Sequence, residues 1–141
     1  MSVDTKFLLP LFEGLKAGFP SPAADYIDVA IDLNKELIKH PASTFLGRVS
    51  GDSMKDANLD DGDLLVIDKS IRPAHGMMAV CFLDGEFTIK YIKIDGENIL
   101  LVPANDAYDP ILVTQDDNFV VWGIVTSIIK KPKELDDVRA G

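Results

Sequence analysis

The sequence predicts a mostly β domain built from short antiparallel strands. From residue 43 onward, short runs rich in Val, Ile, Phe and Tyr alternate with turns. Three Asp-Gly pairs, at 61–62, 84–85 and 95–96, have the composition of tight hairpin turns. The 141 residues suit one domain that buries a substantial core without disulfides.

Seven strands are expected in this β region, and a flexible tail follows them. The tail, residues 131–141, contains Pro132 and mixed charges, which is typical of a frayed terminus. The strands are predicted at residues 43–50, 64–68, 77–83, 86–94, 98–103, 110–114 and 118–129.

Residues 1–20 are predicted to form an extended arm. Prolines and glycines interrupt this segment, so that neither a helix nor a strand extends far. The arm nevertheless carries large apolar side chains that should not remain in water. We therefore expect it to pack against this domain or a partner through Phe7, Leu8, Leu9, Leu11, Phe12 and Leu15.

A helical segment is expected between the arm and the strands. Ser21 suits a helix N-cap, and Pro22 suits the first helical position. Asp32 is a second possible start, and Pro41 ends the pattern, so we expect one broken helix or two short ones within the β domain of residues 21–130. The apolar residues at helical spacing are Tyr26, Ile27, Ala30, Ile31, Leu33, Leu37 and Ile38.

Composition argues against several classes of function. The formal net charge of −9 repels the phosphate backbone, so direct DNA binding is not expected. The single cysteine, Cys81, lies in an apolar run and indicates a buried thiol in a reducing compartment, the cytoplasm. The apolar N-terminal cluster is broken by Pro10 and lacks a basic leader, and no stretch approaches the ~20 apolar residues of a membrane span.

Metal binding is poorly supported. Two widely spaced histidines, His40 and His75, and one cysteine cannot supply a usual nitrogen and sulfur ligand set, and each histidine is better explained as a surface or capping residue. The acidic segment 60–63 suggests a calcium loop. However, alignment of Gly62 with the obligatory loop glycine places apolar residues where oxygen ligands are needed. We expect a solvated turn there, and no metal or cofactor.

Ser53 is the candidate nucleophile. It follows a predicted strand in Gly51-Asp52-Ser53-Met54, where a turn would present its hydroxyl next to backbone N–H groups. The N–H groups of Ser53 and Met54 could bind an oxyanion. The same four residues also suit an ordinary turn, and they lack the second glycine of a Gly-x-Ser-x-Gly elbow. Both interpretations stay open at this stage.

Lys90 is the candidate general base. No histidine follows position 75, which weakens an esterase-like triad. Lys90 lies in the mostly apolar segment 87–92, where desolvation favours the neutral amine that could accept the Ser53 proton. The alternative is a lysine on an exposed strand face, for which Lys93 is the natural control.

Ala17 and Gly18 are the candidate cleavage site. Two small residues in an extended arm can enter a narrow pocket as a strand. Because such a substrate is tethered to the enzyme, its effective concentration is high. The alternative is a plain linker glycine.

Taken together, these motifs resemble the LexA/UmuD family of self-cleaving serine peptidases, and within it the UmuD-type accessory subunits of error-prone DNA polymerases. The resemblance covers nearly the whole chain and rests on several motifs in order. These are Ala17-Gly18 with the following residues to Tyr26, Ser50-Gly51-Asp52-Ser53-Met54, Asp61-Gly62-Asp63-Leu64-Leu65, the segment Asp84 to Lys90, and Pro103-Ala104-Asn105.

The resemblance implies a mostly β peptidase fold in which Ser53 is the nucleophile, Lys90 the general base and Ala17–Gly18 the bond that is cut. Family members cleave themselves when a RecA filament on single-stranded DNA stimulates them. The shortened form, a homodimer, joins the UmuC-like catalytic subunit of an error-prone polymerase. Residues 8–12 are similar to the segment that contacts the replicative sliding clamp.

Two other functions are compatible with the residues. One is a binding module without catalysis, in which the apolar arm docks on replication partners and Ser53 only shapes a turn. The other is a peptidase that acts in trans, like the signal peptidases that share Ser-Lys chemistry. The lack of a predicted membrane anchor argues against the second.

Overall fold

The structure, a computed structural model, describes residues 7–12, 15, 17 and 30–140, and its contacts divide the chain into two units. The first unit is residues 1–39 and the second is residues 40–141. The sequence placed the start of the β domain at residue 21. Of the predicted helical segment, the described residues 30–38 belong to the first unit.

The described residues of the first unit form two short strands and one short helix. β1 (Leu8–Pro10) pairs antiparallel with β2 (Ala30–Asp32), and α1 (Leu33–Leu37) follows directly. The Asp32 carboxylate accepts a hydrogen bond from the Asn34 backbone N–H at 2.9 Å, so Asp32 is the N-cap that the sequence predicts.

The helix predicted through Ala30 and Ile31 is wrong at those two residues. Ile31 pairs with Leu9, and Ala30 pairs with Pro10, so both lie in β2. Pairing with β1 outweighs the helical spacing here, and the β-branched Ile31 is well suited to a strand. The predicted helix start at Ser21 and Pro22 lies outside the described residues.

The second unit is a seven-stranded antiparallel sheet in the order β3-β4-β9-β5-β6-β7-β8. All seven strands that the sequence predicts are confirmed, with ends that agree to within two residues. Their bounds are β3 Thr44–Arg48, β4 Leu64–Asp68, β5 Met78–Leu83, β6 Glu86–Asp95, β7 Asn98–Val102, β8 Ile111–Val113 and β9 Phe119–Ile129.

The central strand β5 is buried on both faces, which explains its uninterrupted apolar sequence. Alternate side chains of β5 enter two separate apolar clusters. The first cluster is Val49, Ala57, Leu59, Leu65, Ile67, Met78, Val80 and Ile89. The second is Ala79, Cys81, Ile92, Leu101 and Ile124.

Two glycines, Gly85 and Gly123, occupy positions in the sheet where a side chain would be unfavourable. Asp84 and Gly85 join β5 to β6 with φ angles of 49° and 86°, as expected for a two-residue Asp-Gly hairpin turn. A Cβ atom at Gly123 would lie 2.6 Å from Cγ2 of Ile67. The close approach of β9 to β4 therefore requires glycine at that position.

The chain after β9 is more ordered than the sequence suggests. Within the segment predicted to be a flexible tail, Leu135–Ala140 form the short helix α2. Asp136 and Asp137 lie in its first turn, where negative charge is favourable. Across the part of the chain that the structure describes, no helix has the length and apolar character needed to span a membrane.

Candidate active site

Ser53 lies on an exposed turn between β3 and β4, where the sequence places it. The turn covers residues 51–54 and begins at Gly51, whose φ angle is 75°. The next residue, Met54, is half-buried and packs against the first apolar cluster. The serine side chain is therefore accessible, while its neighbour in the chain is anchored in the core.

The Asp61-Gly62-Asp63 segment fixes this turn. The carboxylate of Asp61 accepts a hydrogen bond from the Gly51 N–H at 2.6 Å. Two backbone hydrogen bonds join Val49 to the same segment. The Val49 N–H donates to the Asp63 carbonyl at 2.9 Å, and the Gly62 N–H donates to the Val49 carbonyl at 2.7 Å. The sequence predicts only a solvated turn here and does not reveal these hydrogen bonds to the Ser53 turn.

Lys90 is buried in the middle of β6, with only 5% of its surface exposed. Its cross-strand partner on β5 is Ala79, which is fully buried. Alternation along the strand places Lys90 on the same face as Ile92 of the second cluster. Lys93, the control on the same strand, is exposed. Of the two alternatives for Lys90, the structure supports the apolar environment.

A carboxylate meets the buried lysine. The ammonium of Lys90 donates a hydrogen bond to Oδ2 of Asp56 and forms an ion pair with it. Asp56 lies in the 3-10 turn Lys55–Ala57, which directly follows the Ser53 turn. This ion pair brings the segment that carries Ser53 to the strand that carries Lys90.

Asp56 is not among the site residues predicted from the sequence, although a general signal for it exists. A charged side chain is almost never left alone in a protein interior, so a buried lysine implies a carboxylate partner. Asp56 is three residues from the candidate nucleophile, in the short segment between the family motif that ends at Met54 and the one that begins at Asp61. The requirement for a partner for Lys90, applied to that segment, would have identified it.

A third segment holds the 3-10 turn from the other side. The Asn105 N–H donates to the backbone carbonyl of Asp56 at 2.9 Å. The Asn58 amide donates to the Ala104 carbonyl at 3.3 Å, and Asn58 itself is left-handed with a φ angle of 57°. The Pro103-Ala104-Asn105 motif therefore has a structural role next to Asp56.

Cys81 is a core residue. It is fully buried in β5, and burial raises the pKa of its thiol to about 11, although the positive charge of Lys90 acts in the opposite direction. A thiol with that pKa is protonated at neutral pH and is a poor nucleophile. The expected burial of Cys81 is confirmed.

Both histidines have specific partners. Nδ1 of His40 lies 2.6 Å from a carboxylate oxygen of Asp68, and Nδ1 of His75 accepts a hydrogen bond from the Ile94 N–H at 2.9 Å. Hydrogen bonds from His40 and Ser70 hold the pKa of Asp68 well below its usual range. Both histidines are exposed, as expected for surface residues, but the His40 side chain does not cap the 3-10 turn that follows it.

The remaining acidic side chains of the segment bind a second lysine. Lys130 forms ion pairs with Asp60, at 3.2 Å, and with Asp63. Burial disfavours the charged form of Asp63, but hydrogen bonds from Lys130 and from the Asp60 N–H outweigh it and lower the pKa of that carboxyl. These carboxylates stabilise the fold through a lysine.

The candidate cleavage site is only partly described. Ala17 is exposed and belongs to the first unit, and Gly18 lies outside the described residues. The roles of Ser53 and Met54 as oxyanion donors, and of Ser53 and Lys90 as a catalytic pair, stay predictions.

Comparison with known proteins adds a family relationship to this geometry. Residues 10–126 match the family described as Peptidase S24-like. The chain is 44% identical to protein SamA of Salmonella typhimurium over 90% of its own length and 89% of that protein. It is 39% identical to protein ImpA of Escherichia coli over 95% and 92% of the two chains. It is 38% identical to protein MucA of Escherichia coli over 84% and 82%.

Proposed function

This chain belongs to the Peptidase S24-like family, as a UmuD-like member of the LexA/UmuD group, and from that premise we propose that it cuts its own arm between Ala17 and Gly18. The family is one of self-cleaving serine peptidases connected with SOS mutagenesis. The proposal assigns Ser53 as the nucleophile and Lys90 as the general base, with no metal or cofactor.

The single observation that carries the proposal is the buried lysine beside the serine segment. A binding module has no need for an ammonium group in an apolar strand, where burial of charge is costly. The contact between Lys90 and Asp56 brings that group to the turn that follows Ser53. An exposed hydroxyl and a desolvated amine from neighbouring segments are the two groups that Ser-Lys catalysis requires.

The proposed reaction proceeds through an acyl-enzyme. The neutral amine of Lys90 accepts the proton of the Ser53 hydroxyl while Oγ bonds to the carbonyl carbon of Ala17. Backbone N–H groups of Ser53 and Met54 stabilise the oxyanion of the tetrahedral intermediate. The bond to the Gly18 nitrogen then breaks, and Lys90 returns the proton to that leaving amine.

Hydrolysis of the ester completes the cycle. Lys90 accepts a proton from water, and the hydroxide oxygen bonds to the Ala17 carbonyl carbon. The ester bond to Oγ of Ser53 then breaks, and the serine oxygen recovers the proton. The products are residues 1–17 with a free carboxylate and a chain that begins at Gly18.

The physical consequence of cleavage is a change in apolar surface. Residues 1–17 carry Lys6 and Lys16 against Asp4 and Glu13, so their loss leaves the net charge of −9 unchanged. The removed arm includes the apolar residues 7–12, three of which are at least half-buried. Loss of this segment changes which apolar groups are available to partners.

The shortened chain is proposed to act in the DNA-damage response. In this account a RecA filament on single-stranded DNA stimulates the cleavage, and the product, as a cytoplasmic homodimer, is a regulatory subunit of an error-prone translesion polymerase with a UmuC-like catalytic subunit. The replicative sliding clamp is a further proposed partner of the arm. The relationship to SamA, ImpA and MucA supports this assignment, and the acidic charge supports a role without direct DNA contact.

The test compares the wild type with Ser53→Ala and Lys90→Ala. Each protein is incubated at pH about 10, where an appreciable fraction of an ordinary lysine amine is neutral, and at pH about 7 with activated RecA filaments. Intact-mass measurement should show loss of residues 1–17 from the wild type alone. A wild-type chain that stays intact under both conditions would favour the binding module instead.

A further inference from the structure

We propose that Asp56 is a latch on the general base: its ion pair with Lys90 keeps the lysine protonated, and self-cleavage requires that pair to open. Asp56 is thus a positioning residue that acts through Lys90 rather than on the substrate. This inference rests on the proposed function, because it concerns the regulation of the same site.

The two partners differ in their access to water. The side chain of Lys90 is 6% exposed, whereas that of Asp56 is 18% exposed. A carboxylate at the surface can turn outward and be hydrated, but the ammonium in β6 cannot follow it. When the pair opens, Lys90 is left without a counter-charge in apolar surroundings, and such surroundings favour the neutral amine.

The backbone around Asp56 is held in place, so the opening motion is confined to the side chain. Its carbonyl accepts the Asn105 N–H, and the Ala57 N–H donates to the Met54 carbonyl at 3.0 Å. Ala57 itself is buried in the first cluster. A rotation of the Asp56 side chain therefore changes the state of Lys90 without moving the turn that carries Ser53.

Among the described residues, two titratable groups act on Lys90 from the elements packed against it. One is the carboxylate of Asp56, from the 3-10 turn, and the other is the thiol of Cys81, from the neighbouring strand β5. Cys81 stays protonated at neutral pH, because burial raises the pKa of its thiol to about 11. Among the described residues, the negative charge that faces the Lys90 ammonium is therefore that of Asp56.

The latch accounts for a chain that carries its own substrate and stays intact until it is needed. With the pair closed, Lys90 has no free lone pair and cannot accept the Ser53 proton. The rate of cleavage is then proportional to the small fraction of molecules in which the ion pair is open. Alkaline pH, or a partner that displaces the Asp56 carboxylate, increases that fraction. Regulation in this account acts on the base rather than on the nucleophile.

The first experiment measures the pH dependence of self-cleavage in Asp56→Asn, with Asp60→Asn as the matched control. Both variants remove one carboxylate from the same segment, but Asp60 pairs with Lys130. Asp56→Asn should cleave at least about tenfold faster at pH 7 and reach its half-maximal rate at lower pH, as expected when a neighbouring opposite charge is removed. Asp60→Asn should follow the wild-type profile.

Two results would overturn the latch. An unchanged profile in Asp56→Asn would show that the carboxylate does not control the base. A folded Asp56→Asn protein that fails to cleave at any pH would show that Asp56 is required for the reaction rather than restraining it.

The second experiment follows Lys90 directly and needs no cleavage. In the Ser53→Ala background, the NMR shift of the Lys90 Cε atom is titrated with and without Asp56→Asn. The titration midpoint should fall when Asp56 is replaced, and an unchanged midpoint would refute the latch. A wild type that never self-cleaves would remove the proposed function, whereas this titration would still decide whether Asp56 controls the charge of Lys90.

Discussion

Lys90 and Lys130, two lysines from later parts of the chain, both pair with carboxylates of the segment between β3 and β4, yet their surroundings differ. Lys90 is 6% exposed at its side chain and pairs with Asp56. Lys130 is 43% exposed and contacts the carboxylates of Asp60 and Asp63 as well as the Asn58 carbonyl. The segment between β3 and β4 therefore supplies carboxylate partners to the buried Lys90 and to the more exposed Lys130.

This difference in exposure distinguishes Lys90, which can take part in a reaction, from Lys130, which stabilises the fold. The pKa of Lys130 is raised, chiefly by its hydrogen bond to Asp63, and the exposed part of its side chain remains hydrated. Lys130 is a stable ammonium with several acceptors. Lys90 has one carboxylate in an apolar setting, so the loss of that contact changes its chemistry. Burial, rather than the presence of a carboxylate, distinguishes the two.

Removal of the Lys130 ammonium, which pairs with Asp60 and Asp63, is expected to lower the stability of the protein. Lys130→Met should lower the free energy of unfolding at pH 7 by about 1–2 kcal/mol, a value discounted because Lys130 is partly exposed. The cost arises mainly because Asp63, whose side chain is 6% exposed, loses its counter-charge. Urea unfolding of the two proteins measures the difference.

The pH dependence of that difference has a defined sign. The raised pKa of Lys130 gives stability that is present below the unfolded value, about 10.4, and is lost as the pH rises through the folded pKa. The lowered pKa of Asp63 gives stability that is present above about 3.9 and is lost in acid. The difference should be largest between these limits. Lys130→Met should leave the pH profile of self-cleavage unchanged. A shifted profile would contradict the conclusion that Lys130 stabilises the fold without acting on the reaction.

A second effect on stability is expected at Asp68, a buried carboxylate whose partners include His40, Ser43 and Ser70. Asp68→Asn should destabilise the protein most at neutral pH. The depressed pKa of Asp68 gives stability that is present above about 3.9 and is lost as the pH falls through the folded pKa. Urea unfolding at pH about 7, 4 and 2 should show the wild type and the variant converging in acid. A constant difference across this range would mean that the contacts of Asp68 do not depend on its charge.

The sequence was most informative where local pattern decides the structure. The Asp-Gly pair at 84–85 predicted a hairpin because its backbone requirement is local, and the apolar run of β5 predicted a strand buried on both faces. Ala30 and Ile31 were misassigned because their partner strand, β1, lies about twenty residues away, and that pairing is invisible to helical spacing.

The candidate site was predictable in its residue types and not in its contacts. The sequence motif singles out Ser53, and the scarcity of histidines singles out a lysine as the base. The sequence around Lys90 and Lys93 does not distinguish these two lysines, and only the fold shows that Lys90 is the buried one. Asp56, Asp60, Asp61 and Asp63 are likewise equivalent in the sequence. Only the fold brings each to its partner: Asp56 to Lys90 on β6, Asp61 to the Gly51 N–H, and Asp60 and Asp63 to Lys130.

The central claim is that a lysine able to lose its proton drives cleavage of the chain's own arm, and Lys90→Arg tests it most directly. Arginine keeps the positive charge beside Asp56 but does not give up its proton in proteins. The intact masses of both proteins are followed over time at pH about 10, and urea unfolding confirms that the variant is folded. The account predicts that the wild type releases residues 1–17 while Lys90→Arg stays whole. Release of the same fragment from Lys90→Arg at the wild-type rate would contradict it.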